Sequence, residues 1–239
     1  MIIPKQPAWL HFRSDHWPVV VQALNMMATT GISIRFELQE RLASPRGIGP
    51  RSGSMRRIFE HDLPEAGLIE SDTLPTFGRH KLSVVQLTER GKELCRTFDW
   101  TVVHGEWERL QALHSADSQP KHTGAVLTFA YHARLRGWNI VILPDVDSQI
   151  FFPDVFVEDE FQQMYVEVEL GSRKGRKWSN MQKEQGFVAL CAKTPASRSS
   201  LIAECKNVKA VGFATDLVTL YQESKGSEAG PLWAEEWSS

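Results

Sequence analysis

The sequence predicts an α/β protein of two domains, with helices dominating the first half of the chain and strands the second. Its length of 239 residues exceeds one small module and suits two domains of ordinary size. Apolar residues recur at three- and four-residue spacing before residue 64, and they alternate or cluster in strand-like runs between residues 138 and 170. With 42% hydrophobic and 23% charged residues, the composition is that of a folded protein rather than a disordered one.

Composition and cysteine spacing give no sign of a secreted, membrane or zinc-binding protein. The first ten residues lack the basic start and apolar run of a leader, and no stretch approaches the roughly 18 apolar residues of a membrane span. Cys95, Cys191 and Cys205 have no paired spacing, so we expect buried thiols. We therefore expect a cytoplasmic protein with no membrane partner. The net charge of −2 argues against a uniformly basic nucleic-acid coat.

The first hundred residues predict three helices, two strands and a further helix. Helical spacing of apolar residues marks residues 18–27, 33–42 and 55–63. Ser33 and Ser54 are placed to cap the second and third helices. Pro64 should end or kink the third helix, because proline lacks an N–H and clashes with the preceding turn. Two strand-like runs around residues 74–81 follow, and then a helix opened by Thr88.

Two motifs in this half are diagnostic when taken together. They read EAGLIE at residues 65–70 and LTERGKEL at residues 87–94. The arrangement resembles the winged-helix domains of many prokaryotic regulators, in which the first motif closes the recognition helix and the second opens a helix after the wing. The resemblance implies a winged helix-turn-helix domain (α+β) over residues 15–98, with its wing at residues 75–81 and duplex DNA as its partner.

Basic residues on the third helix, before it and on the wing can approach a phosphate backbone or base edges in a groove. These candidate DNA-binding residues are Arg46, Arg51, Arg56, Arg57, Arg79 and Lys81. The alternative is that these cations form a solvated face and that the domain pairs with another protein.

Residues 99–121 are predicted to connect the two domains. Trp100, Val103 and Trp107 fall close to helical spacing, which predicts a helix over residues 98–114, and a polar linker follows. The apolar stripe of that helix either packs on a flanking domain or forms the contact of a homodimer.

Residues 122–222 predict a second domain with the element order α-β-β-β-α-β and a mixed sheet. The predicted elements are a helix over residues 123–136, strands over 138–143, 151–157 and 163–170, a helix over 173–190 and a strand over 208–214. A short helix through Tyr221 comes next. Residues 223–239 form a tail whose large apolar residues, Trp233 and Trp237, are its only anchors.

Carboxylates gather on the predicted third strand. Glu167 and Glu169 share one face because side chains alternate along a strand, and Asp154 joins them if it pairs across the hairpin. Three carboxylates suit Mg²⁺ or Mn²⁺, hard cations that neutralise phosphate charge and generate a hydroxide nucleophile. Eight acidic and no basic residues lie between residues 139 and 172. Their mutual repulsion is unfavourable unless cations bind nearby. The basic residues expected to hold a phosphodiester follow at once as Arg173, Lys174, Arg176 and Lys177.

The pattern Pro153-Asp154 followed by Glu167-Val168-Glu169, after a helix and a strand, resembles the PD-(D/E)XK nuclease superfamily. The resemblance implies a restriction-endonuclease-like core, with Asp154 and Glu167 as metal ligands and Glu169 as a further candidate ligand. Glu169 stands where that superfamily usually has lysine. Lys174 or Lys177 is the candidate replacement for the missing catalytic cation.

The whole layout, including His122 before the first helix of the second domain, is similar to the replication-relaxation family of plasmid and mobile-element proteins. This resemblance implies a role in plasmid or mobile-element DNA maintenance. Together with the nuclease-like acidic site, it leads us to expect a metal-dependent endonuclease that hydrolyses phosphodiesters of duplex DNA in a mobile-element, plasmid or defence context. The alternative is a non-catalytic regulator or accessory factor in replication, relaxation, conjugation or transposition, working with a recombinase, relaxase or transposase. His122 itself we expect to cap or orient the helix.

Overall fold

The computed structural model describes residues 2–113, 119–148, 151–171, 175–224 and 229–238. These residues divide into two compact units. The first contains the residues up to Leu74 and from Leu82 to the connecting segment, and the second contains Pro75–Lys81 and the rest of the chain. The chain is therefore an α/β protein with two units, as its length and patterning predict. No helix within the described ranges is both long and apolar enough to cross a membrane.

The first half of the chain folds as helices around one short sheet. Its elements are α1 (Trp17–Thr30), α2 (Arg35–Ala43), a 3-10 turn (Ser44–Arg46), α3 (Gly53–Arg57), a π-helical turn (Ile58–Asp62), α4 (Leu63–Glu65), β1 (Ile69–Pro75), β2 (Lys81–Leu87), α5 (Glu89–Thr97) and α6 (Glu106–Leu113). Strands β1 and β2 pair with each other. Leu24, Phe59 and Leu68 are fully buried in a common apolar core, so the predicted apolar stripes do face inward.

Both predicted serine caps were wrong. The residue before α2 is Ile34, and no side chain caps that helix. Ser33 Oγ instead donates to Gly31 O at 3.2 Å and accepts from the N–H of Trp107 at 3.1 Å. Helix α3 begins at Gly53, which places Ser54 inside its first turn. Cap rules consider only neighbours in sequence, whereas Ser33 is satisfied by a residue 74 positions away.

The third helical segment is distorted just before Pro64 and ends one residue after it, at Glu65, in agreement with the expected end or kink. Helical structure runs on through α4 because the π-helical turn widens the backbone just before the proline, where Leu63 N–H donates to Ile58 O. The wider turn relieves the clash that proline causes in an α-helix. Gly67, at φ 68°, then ends the segment, and Leu68 N–H donates to Leu63 O at 3.0 Å.

The connecting helix is shorter than predicted. Asp99 has a positive φ of 58°, which breaks the helix after α5, and α6 begins only at Glu106. The chain between them runs along the end of α1, with Val103 N–H donating to Ala28 O at 2.8 Å. Trp107 and Leu110 are buried within the monomer, which favours packing on its own unit over a dimer contact. Residues 114–118, in the predicted linker, lie outside the described residues.

The second unit is built on a mixed six-stranded sheet. Its elements are α7 (Pro120–Arg134), β3 (Asn139–Ile142), β4 (Val155–Glu158), β5 (Gln163–Glu169), α8 (Gly175–Gln185), β6 (Val188–Ala192), α9 (Pro195–Asn207), β7 (Gly212–Asp216), α10 (Leu217–Glu223) and β8 (Glu235–Trp237). The strands lie side by side in chain order. The β5–β6 and β6–β7 pairs are parallel, and the other pairs are antiparallel.

The predicted order α-β-β-β-α-β is present from α7 to β6, but its last strand is not the predicted one. The predicted helix over residues 173–190 stops at Gln185, because Gly186 takes a left-handed φ of 83°. Val188–Ala192 then forms a strand buried at every position. A continuous apolar run has no period, so the sequence does not distinguish a helix end from a central strand. Helix α9 and strand β8 were not predicted.

Candidate active site

The predicted acidic residues meet where β4 begins and β5 ends. Val155 pairs with Val166 in the antiparallel register, so extending the register by one residue sets Asp154 against Glu167. Glu169 follows on the same face two residues later. All three carboxylates are buried, with exposed fractions of 8%, 1% and 5% for Asp154, Glu167 and Glu169. The convergence predicted from the hairpin is confirmed for Asp154 and Glu167, and Glu169 lies beside them.

Asp154 is held against the strand opposite. Its Oδ2 accepts a hydrogen bond from Val168 N–H at 2.8 Å, which ties the residue just before β4 to the C-terminal end of β5. Asp154 O accepts from Leu143 N–H at 2.9 Å just beyond β3. Three strands therefore share in positioning this carboxylate.

Lys177 supplies the cation of the cluster. Its Nζ lies 2.5 Å from Glu167 Oε2 and 3.9 Å from Glu169 Oε2. Lys177 is on the first turn of α8, so the positive charge comes from the helix after β5 and not from β5 itself. Of the two lysines named as candidates for this place, Lys177 occupies it, while Lys174 and Arg173 lie outside the described residues. Arg176 is exposed beside it.

Glu169 is turned partly away from the pair. Its Oε1 accepts from the N–H of Gly171 at 2.9 Å, in the loop that leaves β5. In the part of the chain that the structure describes, no three His, Cys, Asp or Glu side chains are arranged to hold a metal ion together. The fit to a divalent cation therefore depends on Asp154 and Glu167. Two carboxylates suffice for Mg²⁺ when substrate phosphate and water complete its octahedral shell.

Burial and charge push the two central carboxyls in opposite directions. Burial raises the pKa of Glu167 well above its usual range, and the neighbouring charge of Asp154 adds to the rise against the opposing effect of Lys177. Burial also acts to raise the pKa of Asp154, but the hydrogen bond and charge of His122, with Lys177, more than offset it and lower that pKa. Two adjacent carboxyls with separated pKa values are typical of functional sites.

Lys177 stays charged in this setting. Burial acts to lower its pKa, but the charge of Glu167 and then that of Asp154 outweigh burial, so the pKa is raised. In the resting cluster Asp154 is therefore ionised and Lys177 is protonated. Glu167 is the carboxyl whose ionised form a further cation would stabilise most. A divalent ion would favour the ionised form of Glu167.

His122 belongs to this cluster and was missed by the sequence reading. It lies in the first turn of α7, yet no side chain caps that helix. Its Nε2 lies 3.0 Å from Val168 O and 3.4 Å from Asp154 Oδ2. Burial acts to lower the pKa of His122, but Asp154 raises it overall. Its position just before the predicted helix over residues 123–136 was the one signal in the sequence.

The candidate DNA-binding arginines of the third helical segment are exposed and paired. Side-chain exposure is 63% for Arg56 and 60% for Arg57, which lie 3.5 Å from Glu60 and 3.3 Å from Asp62, respectively. The cations are therefore accessible, and a phosphate has to compete with local carboxylates for them.

The other candidate DNA-binding residues are placed differently. Arg46 is partly buried and donates to Gln22 Oε1 at 2.7 Å, which occupies its guanidinium inside the first unit. Arg51 is exposed and lies over the Phe36 ring at 5.3 Å. Arg79 and Lys81 are exposed on Pro75–Lys81, the segment grouped with the second unit.

No family model, curated protein or solved structure matches this chain.

Proposed function

We propose that this chain is a DNA-processing protein that hydrolyses phosphodiester bonds of duplex DNA with Mg²⁺ or Mn²⁺. The single observation that supports this function is the meeting of Asp154, Glu167 and Lys177, which come from the start of β4, the end of β5 and the start of α8. Their element order, from α7 to β6, is that of a restriction-endonuclease-like core. In this proposal the second unit is a PD-(D/E)XK nuclease domain.

The first unit, in the same proposal, is a winged helix-turn-helix domain that locates duplex DNA. Three helical segments followed by the β1–β2 sheet support it. The exposed guanidinium groups of Arg56 and Arg57 on the third segment also support it. In winged helix-turn-helix domains this segment is the recognition helix, which enters the major groove. With few such cations, binding by this unit should be modest and sensitive to salt.

The chain's own residues have distinct tasks in the proposed reaction. Asp154 and Glu167 would hold the divalent ion, which when bound supplies positive charge at the phosphate and a nucleophilic hydroxide. Lys177, fixed by its ion pair with Glu167, presents its ammonium to the charge that develops on the phosphate oxygens. In the balanced reaction, a water oxygen bonds to phosphorus, one ester P–O bond breaks, and the proton of water leaves to solvent or to the departing oxygen.

Nicking of supercoiled plasmid in Mg²⁺ or Mn²⁺ tests this function. The wild-type protein should convert supercoiled to open-circular DNA, and Asp154→Asn should abolish the conversion while keeping the side-chain shape. Glu160→Gln, an exposed acidic position in the same hairpin, is the matched control and should nick like the wild type. Equal nicking by the wild type and Asp154→Asn, or none by the wild type, would refute catalysis.

A second function, non-catalytic assembly on DNA, is favoured by one observation. Glu169 occupies the position of the usual lysine, and its Oε1 accepts from Gly171 N–H. In this version the chain serves as an accessory factor of a recombinase, relaxase or transposase, and a homodimer remains a prediction. Calorimetric titration with Mn²⁺ separates the two functions, since a degenerate site should bind no metal at millimolar concentration.

A further inference from the structure

His122 reaches from α7 to the C-terminal end of β5 and contacts one backbone oxygen and one carboxylate oxygen there. Its Nε2 lies 3.0 Å from the carbonyl oxygen of Val168 and 3.4 Å from Asp154 Oδ2. A carbonyl oxygen can only accept, so Nε2 carries the hydrogen and donates it. The ring is mostly buried, with 16% of the side chain exposed, which holds it in this orientation.

Asp154 Oδ2 consequently has two donors on one side. Val168 N–H donates to it at 2.8 Å, and the shared hydrogen of His122 Nε2 approaches from α7. Rotation of the carboxylate about its last bond would break both contacts at once. The two contacts together fix the orientation of the carboxylate, which lies beside Glu167 in the strand register.

We propose that His122 is a positioning residue of the metal site, which fixes the orientation in which Asp154 would bind the divalent ion. The inference rests on the proposed metal-dependent function and adds to it a residue that binds neither ion nor DNA. Hydrogen-bond partners that orient metal-ligating carboxylates contribute substantially to affinity, because the ligand then need not be ordered when the ion arrives. The same contact joins the N-terminal turn of α7 to β5.

Binding of Mn²⁺ alone to the full chain, followed by calorimetry, tests this role without any DNA or turnover. We expect His122→Ala to weaken Mn²⁺ binding by about 10- to 100-fold, the usual cost of losing such a partner. His122→Gln should retain most of the affinity, because its amide N–H can take the place of Nε2–H. His104→Ala is the matched control, since that histidine is 77% exposed and belongs to the first unit, and it should bind Mn²⁺ like the wild type.

Two further measurements separate positioning from a merely structural role. The melting temperature in chelator should be nearly the same for His122→Gln and the wild type, and nicking by His122→Ala should recover at high Mn²⁺, because a positioning defect raises the metal requirement. If His122→Ala does not fold, the Mn²⁺ affinities of His122→Gln and His122→Asn are compared instead. The shorter asparagine amide cannot reach β5, so His122→Asn should lose Mn²⁺ affinity and His122→Gln should keep it.

The outcomes are distinguishable. Wild-type affinity in His122→Ala, or equal weakness in the glutamine and alanine variants, overturns the role of His122 and leaves the proposed function standing. Absence of Mn²⁺ binding by the wild type overturns the proposed function and this inference together.

Discussion

Replacing Lys177 by methionine removes the described cation nearest the carboxylate pair while keeping the length and apolar stem of the side chain. Glu167 then loses its partner at 2.5 Å, and Glu169 loses one at 3.9 Å. In the absence of a divalent ion, three buried carboxyls remain together at this end of the sheet. We expect the apo protein to lose stability, because an unpaired buried charge costs more than the original pair contributed.

The size of the loss follows from the burial of the pair. Two unit charges about 4 Å apart attract by roughly 4 kcal/mol near a protein surface before solvation is counted, and removing one partner of a buried pair costs about 3–5 kcal/mol. Lys177 keeps 28% of its side chain exposed, and Glu167 can take up a proton once its partner is gone. We therefore expect the lower end, about 3 kcal/mol, which corresponds to a fall of roughly 6–12 °C in melting temperature for a chain of this size.

Scanning calorimetry in excess chelator measures this fall. Lys183→Met is the matched control, because Lys183 is an exposed residue on the same helix, and it should change stability by less than about 0.5 kcal/mol. A Glu167→Gln change added to Lys177→Met should recover part of the loss. Equal melting temperatures for Lys177→Met and Lys183→Met would contradict this prediction, since Lys177 would then neutralise nothing in the resting site.

Three further predictions concern pH, DNA and a second buried ion pair. The pKa of Glu167 is raised in the folded protein above its unfolded value of 4.5. Its contribution to the free energy of unfolding is therefore complete below the unfolded pKa and is lost as the pH rises through the folded pKa. Melting curves in chelator should show this loss of stability, and Glu167→Gln should abolish it. Arg57→Gln should reduce the salt slope of duplex binding by about 1 in a fluorescence titration, and an unchanged slope would exclude a phosphate contact. Asp216 is fully buried, pairs with Arg198 at 2.7 Å and caps α10, so Asp216→Ala should cost about 3 kcal/mol in chemical denaturation. The exposed Asp15→Asn should cost nothing measurable, and equal effects would contradict the assigned role of burial.

The acidic face of the site could be predicted from the sequence because it depends on the strand alone. Side chains alternate along any strand, so Glu167 and Glu169 had to share a face. Asp154 joined Glu167 because a hairpin sets its two strands in register, and the Pro153-Asp154 step lies immediately before β4, the first strand of that hairpin. These inferences needed only local geometry.

Other elements escaped prediction because partners distant in sequence override local rules. Val188–Ala192 forms a central strand only because β5 and β7 lie on either side of it. Ser33 is drawn away from capping by a contact with Trp107. Secondary-structure propensity depends on a residue and its neighbours in sequence, whereas the final structure also depends on contacts throughout the core.

The sequence alone was enough to predict an α/β chain of two domains with an acidic pair on one face of a hairpin, because periodicity and register are properties of a single stretch of chain. Only the tertiary structure decided which groups complete the site. Lys177 and His122 lie on α8 and α7, and their places beside Glu167 and Asp154 depend on how those helices pack on the sheet. Such packing brings together residues far apart in sequence, so local sequence patterns do not predict it.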